Sequence, residues 1–406
     1  MKGRILCMTS NFPRWAGDST TPFVLHLAED LEALGWEIDV LAPHAPGCAH
    51  AETIDGIKVN RFQYLWPARL QTVCYQGGAL INLRKNKANK FKLPALIAAE
   101  WAHCMARLAT RKYDLLHSHW ILPQGFTGAL AARALRVPHV LTVHGGDIFG
   151  LRGKMMARFK RYALRHADVV TVNSSATRQA VNEVAGDIRL EQIPMGVATD
   201  RYADPAQVAR LRAAYGAGAG PLLVFVGRLV DEKGVEDVIR AVALLRDTLP
   251  DTRALIVGDG QDRAALEQLA DGLGVATSVH FTGWVDPKML SSYLAAGDVF
   301  VGPSRRSSDG WIEAQGLTFI EAMLQKIPVV ATRSGGIVDS VIHEQTGLLV
   351  DERSPEQIAA AIERLRREPE LRSQLIAAAD RHAREKFSRA ASAQRFSDLF
   401  ECLKAP

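Results

Sequence analysis

Short runs of apolar, often β-branched residues alternate along the chain with longer segments whose apolar positions recur at helical spacing. In the first half the runs that predict strands are 4–10 (RILCMTS), 37–43 (EIDVLAP), 114–120 (DLLHSHW), 139–145 (HVLTVHG) and 168–174 (DVVTVNS). The second half repeats the pattern at 222–229, 254–260, 279–284, 298–304, 328–334 and 347–351. Strands separated by helical segments read as βαβ units and parallel sheets. The two series predict an α/β fold of two doubly wound, Rossmann-like domains. Between them DRYADPAQVARLRAAYGAGAG (200–220) interrupts the alternation with Pro, Ala and Gly, which places the boundary there. The expected domains are 1–200 and 201–385, with a helix over 386–406 crossing back to the first. Open parallel sheets bind ligands beyond the carboxyl ends of their strands. The site is therefore expected where the strand ends of the two domains face each other across a cleft. No repeat of 20–50 residues interrupts this organisation.

Composition agrees with two cores. A chain of 406 residues exceeds one comfortable core, and its 48% hydrophobic content fills two domains of about 200 residues each. Cys7, Cys48, Cys74, Cys104 and Cys402 have no C-x-x-C pair and no regular spacing. That argues against a disulfide framework or zinc site and suggests a reducing cytoplasm. The N-terminal apolar run soon meets Arg14 and Asp18, so it reads as a first buried strand rather than a signal peptide or membrane span.

The net charge of +5 is uneven: residues 1–200 hold 24 Lys and Arg against 16 Asp and Glu, and the remainder holds 25 against 28. The excess gathers at 84–92 (RKNKANKFK) and 158–166 (RFKRYALRH), with aromatic residues interleaved. Such segments suit an anionic membrane surface, each cation near it contributing about 1 kcal/mol. A solvated basic loop is the alternative. No RNA-binding module is recognisable and few stacking aromatics flank the charges, which argues against nucleic acid.

Two stretches carry the chemistry. In VFVGRLVDEKG (224–234) a strand ends at Gly227, Arg228 follows, and Lys233 precedes the glycine that opens a helix. Two cations at a sheet edge beside a helix N-terminus form an anion clamp; surface cations paired with Asp231 or Glu232 are the plain alternative. In EAQGLTFIE (313–321) one continuous helix would leave Glu313 and Glu321 roughly 80° apart about its axis. If Gly316 instead starts the helix, Glu313 lies in the loop and Glu321 on the first turns. The N–H groups of Gly316, Leu317 and Thr318 then face the gap between them. That arrangement suits a ligand with both hydroxyls and phosphates.

In the first half, Gly17 and Asp18 occupy the loop after the first strand. Gly17 permits close approach of a phosphate or acceptor, and Thr20 or Thr21 caps the following helix. His117 and His119 point to one side of a strand. A metal would need a third ligand that nothing nearby supplies, so they read as buried or cleft-lining histidines, His119 toward the acceptor with Trp120, Pro123 and Gln124. His144 and Asp147 follow the strand ending TVHGGD, where Asp147 is placed to orient the imidazole or hold an acceptor hydroxyl.

Taken together, GRLVDEKG, EAQGLTFIEAM, PVVATRSGGIVDSVIHEQTGLLV and TVHGGD resemble the family 4 retaining glycosyltransferases of GT-B fold over nearly the whole chain. The resemblance implies that Arg228 and Lys233 grip the diphosphate of a sugar nucleotide and that Glu321 accepts hydrogen bonds from the ribose. It implies that Glu313 binds a hydroxyl of the transferred sugar, with the amides of Gly316, Leu317 and Thr318 completing the cradle. His144 corresponds to a histidine at the reacting centre, hydrogen-bonding donor sugar or acceptor. WVDP (284–287) would run along the base, with Trp284 either stacking there or packing.

Ala314 and Gln315 depart from the family's commoner glycine and aromatic, and Asp18 from its second glycine, which places Asp18 toward the acceptor. The implied activity is transfer of a hexose-type unit from a UDP- or GDP-sugar to a hydroxyl with retained anomeric configuration and without metal or other cofactor. The acceptor implied is a glycan or lipid-linked intermediate of bacterial surface polysaccharide. An epimerase of the same fold and a non-catalytic nucleotide-sugar-binding subunit are the alternatives.

Overall fold

The structure is a computed structural model that describes residues 1–18, 22–75, 78–216, 220–308 and 310–404. It divides into two compact units, Met1–Gly196 with Arg389–Pro406, and Val197–Ser388. The first is built on an eight-stranded sheet of β1 (Gly3–Met8), β2 (Trp36–Pro43), β3 (Ala51–Ile54), β4 (Ile57–Phe62), β5 (Leu115–His119), β6 (His139–Val143), β7 (Val169–Val172) and β8 (Leu190–Gln192). The order is β3-β4-β2-β1-β5-β6-β7-β8, parallel except for the β3–β4 hairpin. The second unit holds β9 (Leu222–Val226), β10 (Arg253–Val257), β11 (Val279–Gly283), β12 (Val299–Gly302), β13 (Val329–Thr332) and β14 (Leu348–Val350). These form an all-parallel sheet in the order β11-β10-β9-β12-β13-β14.

Both sheets are covered by helices, which explains why their strands read as near-continuous apolar runs. Leu223, Phe225, Ile256 and Val301 are buried on one face of the second sheet, and Val224, Leu255 and Phe300 on the other. Strand order reverses between β1 and β5 and between β9 and β12, and a ligand crevice forms at such switch points. His117 and His119 belong to the first, Arg228 to the second.

Residues 200–216 belong to the second unit. The helix Pro205–Tyr215 is tied to the second unit by Asp204 N–H on Ser292 Oγ (3.0 Å) and by Arg212 on Asp298 (3.2 Å). The division falls instead at Gly196/Val197, where Val197 N–H donates to Phe387 O (2.8 Å). At the other end the helix Arg389–Lys404 packs in the first unit against the helix Pro22–Ala33. There Arg389 bridges Glu29 and Asp30, and Trp36 Nε1 donates to Ser397 Oγ (3.0 Å). Among the described residues no helix is long and apolar enough to cross a membrane.

Candidate functional site

In the second unit β9 ends at Val226 and the chain turns through Arg228 into the short turn Asp231–Lys233, closed by Gly234. Gly234 has φ 63°, and a Cβ there would lie 2.2 Å from Pro303 O, so no other residue fits without displacing backbone. The turn is held from below by Arg305, just past β12. Its backbone N–H donates to Glu232 O (2.9 Å) and its guanidinium to Asp231 Oδ1 (2.6 Å) and to Glu236. That contact holds the Asp231 carboxyl below its usual range. Sequence reasoning passed over Arg305; its one signal was a cation pair following a strand end in GPSRR.

The turn brings Lys233 to Glu313: Nζ and Oε2 are 2.5 Å apart and both side chains are largely buried. Burial alone would push the Glu313 carboxyl up. Lys233 and the amides of Ala314 and Gln315 overcome it and hold the group below its ordinary value. The Glu313 carbonyl accepts from Gly336 N–H (2.9 Å), so the Ser-Gly-Gly after β13 fastens the same loop. Arg228 remains half exposed, 3.4 Å from Glu232. The pairing offered as the plain alternative for these cations thus exists for Arg228, while Lys233 turns to the acid of the second motif.

The helix Leu317–Leu324 begins where Gly316 has φ 73°, which leaves Glu313 in the loop. Phe319 N–H closes on Gly316 O (3.1 Å), so the preceding amides of Leu317 and Thr318 have no partner within the helix. Glu321 lies on the second turn. Burial pushes its carboxyl up to about 7, against the charge of Arg201. Lysine, loop acid, free amides and helix acid are thereby assembled on one unit. Trp284 is 70% exposed after β11 and so is not the packing residue that was the alternative.

In the first unit His144 follows β6 in a ring of aromatics: Phe23, Trp120 and His119 lie with centroids 5.0, 4.9 and 5.2 Å away. His119 Nδ1 and His144 Nε2 share a proton at 2.9 Å. Burial pushes His144 down to about 3 and His119 well below its ordinary value, so the pair is neutral near pH 7. His119 is buried with its ring on His144, so it supports that residue rather than meeting an acceptor. His117 contacts Thr142 Oγ1 (2.7 Å) and packs on Phe396 and Phe400. Among the described residues no group of three His, Cys, Asp or Glu could hold a metal ion.

Three other expectations are corrected by local hydrogen bonding. Asp147 holds its own loop rather than the imidazole. Its oxygens accept from the N–H groups of Ile121, His144, Gly145 and Ile148 at 2.9–3.2 Å, which locks the loop. Asp18 is held by Arg14, at 2.8 Å from Nε, and not presented outward. Within 158–166, Lys160 is buried, donating to Ile148 O and Gly150 O, while Arg161 and Arg165 donate to Val184 O and Ala185 O. The latter pair satisfies carbonyls at the end of the helix Ser175–Ala185, so most of that charge run is structural. Gly17 has φ 83° with open space above its Cα, and Thr20 and Thr21 lie outside the described residues. Gln124 is buried on Glu100 (2.8 Å), whereas Trp120 and Pro123 line a cavity.

A family model described as "Glycosyl transferases group 1" matches residues 209–382, and one described as "Glycosyl transferase 4-like domain" matches 20–196. The chain is 38% identical over 267 residues to a GDP-mannose-dependent alpha-(1-6)-phosphatidylinositol monomannoside mannosyltransferase of Mycolicibacterium smegmatis, covering 64% of this chain and 69% of the relative. Among solved structures it is similar to sucrose-phosphate synthase from Thermosynechococcus elongatus (TM-score 0.75, 23% identity, 99% of each chain). It is also similar to HepE of Anabaena in complex with UDP (TM-score 0.74, 21% identity, 98% of this chain and 100% of the other).

Proposed function

This chain belongs to the group 1 and 4-like glycosyltransferases of GT-B type, and on that premise we propose that it moves a hexose-type unit from a nucleoside diphosphate sugar to an acceptor hydroxyl with retention. The observation that carries the proposal is the Lys233–Glu313 pair beside the open amides of Leu317 and Thr318. A diphosphate can take Lys233 from Glu313, and the freed carboxylate then accepts from a hydroxyl of the transferred sugar. Glu321 takes the ribose. As the glycosidic C–O bond breaks, the electron pair moves onto the diphosphate, where Arg228, Lys233 and the amides of 316–318 meet it with preorganised donors. These fixed charges support a step without metal. Oxygen of the departing phosphate, on the face where the acceptor adds, takes the acceptor proton. His144, neutral near pH 7, hydrogen-bonds the acceptor.

The mannosyltransferase relative makes GDP-mannose the first donor to try, and the UDP in HepE keeps UDP-glucose beside it. The relative's acceptor supports a lipid-linked intermediate of bacterial surface glycan. A cytoplasmic enzyme peripheral on the membrane fits that acceptor, with the exposed cations Lys85, Lys87 and Lys90 and the exposed Phe91 as contact. The test follows turnover of each donor by proton NMR with octyl α-mannoside as acceptor, with and without EDTA. A product of retained anomeric configuration, formed equally with the chelator, is expected. Inverted product, or free sugar as the sole product, would overturn the proposal.

A further inference from the structure

A cavity of about 470 Å³ lies within the first unit, and donor chemistry does not account for it. One wall is the carboxyl edge of β1, β5 and β6, which contributes Asn11, Trp120 and Gly146. The other walls are hydrocarbon: Leu83 of the helix Ala79–Lys85, Leu96 and Ile97 of Leu93–Leu108, Phe126 of Phe126–Leu135 and Phe159 of Lys154–Arg165. Protein interiors leave few voids larger than a water molecule, and this volume falls in the range of ligand pockets, about 300–1,000 Å³.

Two of the polar groups on the wall are already engaged. Asn11 Oδ1 accepts from Tyr75 N–H (3.0 Å), and the Asp147 carboxylate is taken by four amides. Phe159 lines the cavity and is itself 38% exposed, so the space communicates with solvent. Gly146 places it two residues from His144.

We propose that this cavity holds the hydrocarbon of the acceptor, a linear alkyl or prenyl chain attached to the hydroxyl-bearing group beside His144. The proposal rests on the transfer reading above and adds the chemistry of the aglycon and its seat. Burying each methylene from water strengthens binding about fourfold until the space is filled.

The test is calorimetric titration of the full chain with hexyl, heptyl and octyl α-mannoside below their micelle concentrations, with 1-octanol as the sugar-free arm and GDP and UDP as donor controls. About fourfold tighter binding per methylene is expected. Ile97→Trp, which narrows the cavity, and Leu83→Gln, which wets its wall, should each weaken octyl mannoside binding and flatten that dependence while nucleotide affinity stays at the wild-type value. Affinity independent of chain length, or a dependence that survives both substitutions, would overturn the proposal. Octanol binding as tightly as octyl mannoside would overturn the assignment to the acceptor and point to free membrane lipid. Length dependence without nucleotide binding would refute the transfer reading and leave the hydrocarbon site standing.

Discussion

Glu321→Gln is expected to make the free protein more stable and the nucleotide complex weaker. Burial places the Glu321 carboxyl at about 7, against an ordinary value of 4.5. The folded state therefore binds this proton more tightly than the unfolded chain does. The stability it contributes is complete below about 4.5 and is lost as pH rises through 7. That gap is worth about 3 kcal/mol at pH 8, an upper figure because the residue keeps some contact with solvent. Glutamine has no proton to lose. In urea unfolding the variant should exceed wild type by up to about 3 kcal/mol at pH 8, and by less than about 1 kcal/mol at pH 5. In the complex, a carboxylate accepting from two ribose hydroxyls becomes an amide with one acceptor. Hydrogen bonds to charged groups contribute about 1.5–3 kcal/mol, so nucleotide affinity should fall roughly 10- to 150-fold. A variant less stable than wild type at pH 8, or one with unchanged nucleotide affinity, would refute the reasoning.

Lys233→Met strands a buried carboxylate and should cost about 3–5 kcal/mol at neutral pH by urea unfolding; adding Glu313→Gln should recover most of the stability, with turnover of the sugar nucleotide still lost. Asp147→Ala leaves the amides of Ile121, His144 and Gly145 without their acceptor and should cost about 3 kcal/mol or more, while calorimetry gives wild-type nucleotide affinity because that site lies in the other unit. Neutralising Arg84, Lys85, Lys87, Lys90 and Lys92 together should lower sedimentation with anionic vesicles and leave nucleotide affinity unchanged; unchanged sedimentation would remove the basic segment as the membrane contact.

Alternation of apolar runs located every parallel strand of the second sheet and five of the first, because strands buried on both faces leave a continuous signal. The hairpin Ala51–Ile54 and Ile57–Phe62 was missed, since its outer face is polar. The Asp55-Gly56 turn between the two runs, with both residues at positive φ, was the available cue. The clustering of Arg228, Lys233, Glu313 and Glu321 on the second unit was legible because they sit within two short segments where glycine fixes the local backbone. Asp18, Asp147, His119 and Lys160 were harder. Each has the residue type of a ligand-binding group, but the sequence pattern does not show its partner: Arg14, four residues earlier, for Asp18, amides of its own loop and of Ile121 for Asp147, the imidazole just past the next strand for His119, and two carbonyls for Lys160. Arg305 was invisible for the same reason, because only the fold brings the end of β12 beneath the turn that carries Lys233.

The central claim is that Lys233, Glu313, the 316–318 amides and Glu321 form a sugar-nucleotide site. Calorimetric titration of the unmodified protein with GDP-mannose, UDP-glucose, GDP, UDP and ADP, in buffer with EDTA, tests it most directly. Saturable one-to-one binding of one nucleotide series, lost in Lys233→Met, is the result expected. Folded protein that binds none of them, or binds equally well in Lys233→Met, would contradict the claim.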